Sequence, residues 1–353
     1  MKYKNIFIYI SVIILIIGII FAFKNEYSVN TKFQKLYNEL DNEIDNIFSI
    51  EIENNSDTFS LIKKEGKWVL PNYQEYPADD TKILDFLLKV SQLRTVDKKT
   101  QNPELFNKLG LSFPIVDDAK RIRLLSKNRN LIADFIIGNN FVHNNELSYV
   151  RKFDEDQSWL FKNEFNIFDN EINWTSNSLL RIARWRIKSI NIKDDNKKSK
   201  NIFFFKDKYS DQSFKLKDIP KGASLRSNVN ANNLSSILES VKIVNIKKKP
   251  IEKKFIYKKD IIFTTFDGLV VNIKTFELDK QMYFDFEVIS DFSVREELPD
   301  DSPNIVGLPN MLSIDEVSSE EKKYIYLKDW YFILHNDFIK NFNVTFSDLI
   351  EKK

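Results

Sequence analysis

The chain has 353 residues, with 53 Lys and Arg against 51 Asp and Glu, and its formal net charge of +2 leaves no general electrostatic case for nucleic acid as a partner. Hydrophobic residues at 42% and charged residues at 29% are the proportions of a folded polypeptide long enough for two domains. With 7 Gly, 2 His and no Cys, loops that cradle phosphate on bare backbone cannot be built and lipid attachment at a cysteine is excluded, while the compartment stays undecided.

Residues 6–23 form an unbroken apolar run without charge. A helix needs about 20 such residues to cross a bilayer core, so the run reads as a short transmembrane anchor. It is longer than the roughly 7–15 apolar residues of a signal peptide, and it ends in Phe21, Ala22 and Phe23 where a cleavage site needs small side chains. An uncleaved anchor is therefore expected. Lys2 and Lys4 favour a cytoplasmic tail at 1–5, although Lys24, Lys32 and Lys35 on the far side weaken the asymmetry. The expected location is a bacterial inner membrane, single-pass, with the C-terminal body periplasmic.

Residues 24–46 are expected to be a stalk or linker. Phe33, Leu36, Tyr37, Leu40, Ile44 and Ile47 recur at three- and four-residue steps, which predicts an amphipathic helix over 31–47. Its role is a stalk, a membrane-surface helix or the first core helix. Alternation at 47–52 predicts a strand, and 59–62 with 67–70 predict a hairpin turning at Glu65-Gly66, with Trp68 on one face. Asp79 or Asp80 is a candidate N-cap for a helix striped by Ile83, Phe86, Leu87, Val90 and Leu93. After breaks at Gly110 and Pro114, strands are predicted at 121–125 and 131–137, ended by Gly138, then at 149–153 and 159–161. A short helix over 173–182 follows, introduced by Thr175 or Ser176.

The pattern then restarts. Residues 187–192 repeat the Ile-rich strand, 202–205 and 213–216 repeat the hairpin, and Asn230 takes the place of the acidic cap. Leu234, Ile237, Leu238, Val241 and Val244 repeat the helical stripe. Strands at 260–266 and 269–276 turn at Asp267-Gly268, and 283–288 follows. Near the end, 330–332 with Thr345, Leu349 and Ile350 echo 159–161 with Thr175, Leu179 and Leu180. The expected fold is α+β, as two tandem copies of a mainly antiparallel sheet-plus-helix unit at 47–184 and 185–353.

Chemistry is sparse. His143 lies in an Asn-rich loop and His335 in 334–337, and neither has a partner at metal-ligand spacing. The acid pairs Asp79-Asp80, Asp117-Asp118 and Asp300-Asp301 fit capping, a turn and a solvated loop better than an acid/base pair set across a substrate. Ser60 and Lys63 share the spacing of an acyl-transfer motif that needs a helix, whereas here a strand is predicted. Trp159, Trp174, Trp185 and Trp330 at strand positions read as core in preference to a carbohydrate-stacking set. The densest cationic run is 242–254. Within it Lys247, Lys248, Lys249, Lys253 and Lys254 are the candidate contact for anionic lipid or an acidic partner, each contributing about 1 kcal/mol near such a surface. The bland counterpart is a solvated loop enriched in Lys by AT-rich coding. The Pro-containing loop 298–310 is a further candidate contact.

A family resemblance rests on the ordered set Gly66-Lys67-Trp68, Tyr76-Pro77-Ala78-Asp79, Leu109-Gly110-Leu111 with Pro114, Gly138, Tyr149-Val150-Arg151, Leu179-Leu180-Arg181-Ile182 and Ile187-Lys188-Ser189-Ile190. Together with the anchor, this set resembles the bacterial domain-of-unknown-function family 4340, closely over 47–192 and loosely beyond. The resemblance implies a single-pass envelope protein, often encoded beside an ABC-type permease and an auxiliary protein, and implies no catalytic residue or cofactor. The expected role is a non-enzymatic accessory or binding subunit of an ABC-type export or envelope-assembly system. The alternatives are a stand-alone envelope glycan- or lipid-binding protein and, last, a hydrolase with an unrecognised site.

Overall fold

The computed structural model describes residues 34–164, 166–195, 199–226, 231–250, 255–296 and 308–352. The expected anchor at 6–23, Asn230, Asp300, Asp301, Lys253, Lys254 and most of the loop 298–310 lie outside them. Among the described residues no helix is long and apolar enough to cross a membrane. Helix and strand are mixed and the strand ladders are antiparallel, so the chain is α+β. It divides into two compact units, Met1–Lys67 with Asp80–Asp169, and Trp68–Asp79 with Asn170–Lys353.

In the first unit the alternating segments become β2 (Ile47–Glu53), β3 (Thr58–Lys64), β7 (Lys120–Ser126), β8 (Leu131–Phe141), β9 (Asn144–Lys152) and β10 (Ser158–Lys162). With β1 (Gln34–Lys35) and β6 (Arg94–Lys98) they form the sheet order β1-β6-β10-β9-β8-β7-β2-β3. Ile50 and Ile52 are fully buried, as their alternation requires. Helix Asp80–Ser91 begins at Asp80, which leaves Asp79 at the position of its cap, and it buries Ile83, Phe86, Leu87 and Val90.

Residues 31–47 are not one amphipathic helix. Among the described part, Lys35 pairs with Arg94 as an edge strand, and Leu36 N–H donates to Leu93 O at 2.9 Å. Helix is confined to Leu40–Glu43 and a 3-10 turn at Ile44–Asn46. The Tyr37 hydroxyl bonds both the backbone N–H and C=O of Asp134, so tertiary pairing overrides the helical spacing. Gly138 does not end its strand either. β8 runs through it with a bulge, the register moving from Ile137↔Val150 to Asn140↔Ser148. Its missing side chain admits the Leu109–Gly110 backbone, for a Cβ at Gly138 would stand 2.2 Å from Leu109 O. The loop that makes this approach is fixed by Arg151, whose Nη1 donates to the carbonyls of Lys152, Phe153 and Glu155 while Nη2 reaches Leu111 O at 3.0 Å.

The second unit holds β11 (Ile187–Asp194), β12 (Ile202–Phe205), β13 (Lys215–Leu216), β15 (Ile243–Lys248), β16 (Lys259–Thr265), β17 (Leu269–Leu278), β18 (Gln281–Ser290) and β19 (Trp330–Leu334), in the order β13-β12-β11-β16-β17-β18-β19-β15. A separate ladder pairs β14 (Ala223–Leu225) with β20 (Ile350–Lys352). The helix expected over 173–182 is instead a 3-10 turn, Glu171–Trp174, followed by irregular chain. There Leu179 N–H donates to Val241 O and Ile182 N–H to Leu238 O, so the backbone bonds a distant segment and not its own next turn. The second helical stripe is also shorter than predicted. Helix Ala231–Ser235 and a 3-10 turn end at Glu239, and Val244 already lies in β15.

Arg186 is the ionic centre of this unit. Its Nε lies 2.7 Å from Asp267 Oδ2 and its Nη2 lies 2.8 Å from a Glu320 carboxylate oxygen, with Arg186 and Asp267 both buried. Thr265 Oγ1 donates to Asp267 Oδ1 at 2.6 Å, and Arg295 Nη1 donates to Asp267 O at 2.8 Å. Burial works against the Arg186 charge, but its bonds to Asp267 and Glu320 outweigh that and raise its pKa.

Tyr76 sits in β5 (Tyr76–Pro77), which pairs with β4 (Lys67–Leu70). Its ring meets Trp330 edge-on at 5.1 Å and Tyr326 at 5.9 Å. Burial, and then Tyr326, push its hydroxyl pKa well above the usual value. The fold thus holds Tyr76 neutral. That stability is fully present below a pH of about 10, where an unfolded tyrosine ionises, and is lost as pH rises toward the raised folded value. Tyr76→Phe should therefore cost about 1 kcal/mol near neutral pH, through loss of the hydrogen bond between the Tyr76 and Tyr326 hydroxyls, yet flatten the alkaline fall in stability. Thermal melts followed by tryptophan emission at rising pH test this. An alkaline limb as steep as that of the parent chain would count against it.

Candidate functional site

β15 is an edge strand built from the lysine run. It pairs with β19 on one side, in a register that sets Lys247 opposite Tyr331 and Lys248 opposite Trp330. Side chains alternate faces along a strand, and cross-strand partners share a face. Lys247 and Lys249 therefore lie with Tyr331, and Lys248 lies with Trp330, its Nζ 5.4 Å from that ring. On the outer edge, Lys248 N–H donates to Gln74 Oε1 at 3.0 Å. The strand ends where Lys249 N–H donates to Asp329 O and Pro250 follows.

Beside this edge is a cleft of about 510 Å³, within the size range of small-molecule sites. Its apolar wall is a run of rings. Phe276 stacks on Phe255 at 4.2 Å and on Tyr283 at 5.4 Å, and Tyr331 meets Phe276 edge-on at 4.6 Å. Hairpin register produces this wall, since Phe276 and Tyr283 are cross-strand partners on β17 and β18. Leu278, Pro250, Gln74 and the lysines complete the lining.

Charge inside the cleft is already balanced at one point. Lys249 Nζ donates to Asp285 Oδ1 at 2.5 Å, and Tyr257 OH donates to Asp285 Oδ2 at 3.0 Å. Burial and the Asp285 charge push the Tyr257 hydroxyl pKa up, and they do the same to Tyr331. Among the described residues, neither Lys247 nor Lys248 is ion-paired with a carboxylate. The candidate set thus separates. Lys247 faces the cleft, Lys248 rests on Trp330, Lys249 is held by Asp285, and Lys253 and Lys254 are outside the described residues.

The lysine density was the only signal the sequence offered here. Phe276, Tyr283 and Tyr331 were legible as strand residues, but nothing local to them reveals that they converge on residues 247–250. The Asp279-Lys280 turn, with φ of 52° and 63°, is the one local feature that sets the Phe276–Tyr283 pairing, and it lacks the Gly that usually marks such turns.

The other sequence candidates stay apart from this cleft. His143 is exposed, its ring 5.3 Å from Phe141, and His335 caps helix Asn336–Lys340. Asp117 lies in a turn with φ of 52°. Ser60 and Lys63 lie on β3, and the strand geometry separates them. Trp174 and Trp330 are core, whereas Trp185 is 37% exposed. Among the described residues no group of His, Asp or Glu side chains is placed to hold a metal ion.

A second, polar cleft of about 390 Å³ lies in the first unit and is lined by Asn139, Asn140, Asn163 and Asn166. Ser148 Oγ donates to Asn140 Oδ1 at 2.8 Å and accepts from Asn163 Nδ2 at 3.2 Å.

A family model described as Domain of unknown function (DUF4340) matches residues 68–254, from the start of β4 through the lysine run. No curated protein and no solved structure matches the chain.

Proposed function

The chain belongs to the DUF4340 family, a domain of unknown function, and for it we propose a non-enzymatic role as a membrane-anchored accessory or binding subunit. In this reading residues 6–23 anchor the chain in a bacterial inner membrane, with 1–5 cytoplasmic and the body periplasmic. The partners are an ABC-type permease and its auxiliary protein, in export or envelope assembly. Anchoring raises the local concentration of the body, so weak contacts with a membrane partner suffice. The observation that carries a binding role is the lysine-edged aromatic cleft of the second unit, which offers an apolar wall and, among the described residues, a cation without a carboxylate partner at one opening.

The proposal includes two tandem copies, at 47–184 and 185–353. Its support is the strand order, β10-β9-β8-β7-β2-β3 in one unit and β19-β18-β17-β16-β11-β12 in the other. The register irregularities also correspond, between Ile47 and Ser49 against β7 and between Ile187 and Ser189 against β16.

The test is affinity purification of the tagged full chain from crosslinked membranes, read by mass spectrometry against an anchor-only control. Permease or auxiliary subunits should be enriched. A variant carrying Lys247→Glu and Lys248→Glu should recover about thirtyfold less of them, since each lysine near an anionic surface contributes about 1 kcal/mol. Recovery of the protein alone would remove the accessory role. The reading left would be stand-alone glycan binding, favoured by the amide-lined cleft, because Asn side chains both donate and accept as sugar hydroxyls require.

A further inference from the structure

We propose that the aromatic cleft binds an amphiphile with one phosphate head and one acyl chain, the phosphate held by Lys247 and Gln74 and the chain laid along Phe255, Leu278 and Tyr283. This deepens the binding role proposed above and rests on it.

The wall dictates the chain. Phe255 and Tyr283 stack on the buried Phe276 ring, and with Leu278 they present a part-exposed apolar strip. Each methylene transferred from water onto such a surface contributes favourably, without needing a polar partner. A wholly polar ligand would leave this strip unused.

The cleft opening dictates the head. Lys249 cannot supply a net charge there, because Asp285 neutralises it and also accepts from Tyr257. Lys248 also lines the cleft, but its Nζ is engaged over the Trp330 ring on the other face of the strand. Lys247 shares the Tyr331 face, and among the described residues no carboxylate pairs with it. Gln74 adds directional donors. A backbone N–H can only donate, so the side-chain atom that meets Lys248 N–H must be Oε1. That fixes the amide and leaves its Nε2 hydrogens as donors at the cleft. One ammonium and one amide fit a phosphate, which accepts through several oxygens and carries the opposite charge.

The experiment uses the purified full chain in nanodiscs of zwitterionic phospholipid, without any permease, so its outcome is independent of the affinity purification. The probe is a diazirine-bearing lysophosphatidic acid, compared with the monoacylglycerol of the same chain. After photolysis, peptide mapping should place the phosphate probe on the segment containing Phe276 and Tyr283. The neutral probe should label it about tenfold less, as should Lys247→Glu, where attraction becomes repulsion. Leu278→Trp, which fills the cleft, should reduce labelling by either probe. Lys247→Gln, which keeps size and polarity, repeats the charge test if the Glu variant loses amide protection in hydrogen exchange. Equal labelling by both probes with no dependence on Lys247 would overturn the proposal. So would label found only outside the cleft, or full displacement by inorganic phosphate, which would make the site one for a free anion.

Discussion

Arg186→Ala should destabilise the second unit by about 3–5 kcal/mol, the penalty for leaving a buried charge without its partner. Asp267 and Arg186 are both almost wholly out of water, with Glu320 partly so, and the arginine fork satisfies carboxylates from two elements at once. Removing it strands Asp267 at the β16–β17 turn and frees Glu320 on helix Ile314–Tyr324. Hydrogen exchange resolved by peptide should show protection falling across β11, β16 and β17, with the first unit unchanged. Arg186→Lys keeps the charge but not the planar fork, and should lie between the parent and the alanine variant. A loss below about 1 kcal/mol for Arg186→Ala would be the scale of a surface ion pair, and would refute a buried one.

Gly138→Ala should cost the first unit about 3 kcal/mol, the top of the range for overpacking a close-packed interior. The added Cβ would stand 2.2 Å from Leu109 O and 3.0 Å from Gly110 O, and both neighbours are backbone. Neither can step aside easily. Leu111 is tied to Arg151 and sits in a core with Phe106, Ile115, Ala119 and Ile136. Urea unfolding followed at Trp159, the tryptophan of the first unit, gives the measurement. A midpoint unchanged by the substitution would mean that the 106–119 loop yields without loss.

Most strands were legible because alternation is a local property. Ile50 with Ile52, and Ile190 with Ile192, are buried at alternate positions, as a pleat demands, while a register irregularity before each pair turns Ile47 and Ile187 inward as well. The failures have a common physical origin. Helical spacing at 31–47 and hydrophobic density at 173–182 describe which side chains want burial, and burial is what Leu36, Leu40 and Ile47 in the one and Trp174, Leu179, Leu180 and Ile182 in the other obtain. Neither pattern records that the backbone finds its hydrogen bonds elsewhere, Leu36 with Leu93 and Leu179 with Val241. Gly138 looks like punctuation in the sequence, whereas its role is steric. The same holds for the cleft. Its cations were visible as composition, but their differing fates follow from face alternation on β15 and from Asp285, which lies on another strand.

Residues 68–79 belong to the second unit, while the residues on either side of them belong to the first. The polypeptide therefore changes units at 67/68, at 79/80 and at 169/170, and no single proteolytic cut releases either unit whole. Timing on the ribosome follows from the same connectivity. The strap bearing Gln74 and Tyr76 is made early, yet β15 and β19, which it meets, are made much later. At about 5–20 residues per second, the strap must wait for tens of seconds with its aromatic ring uncovered. The second unit thus cannot close over Tyr76 until the chain has been made through β19, and a nascent chain of this kind presents a standing substrate for chaperones.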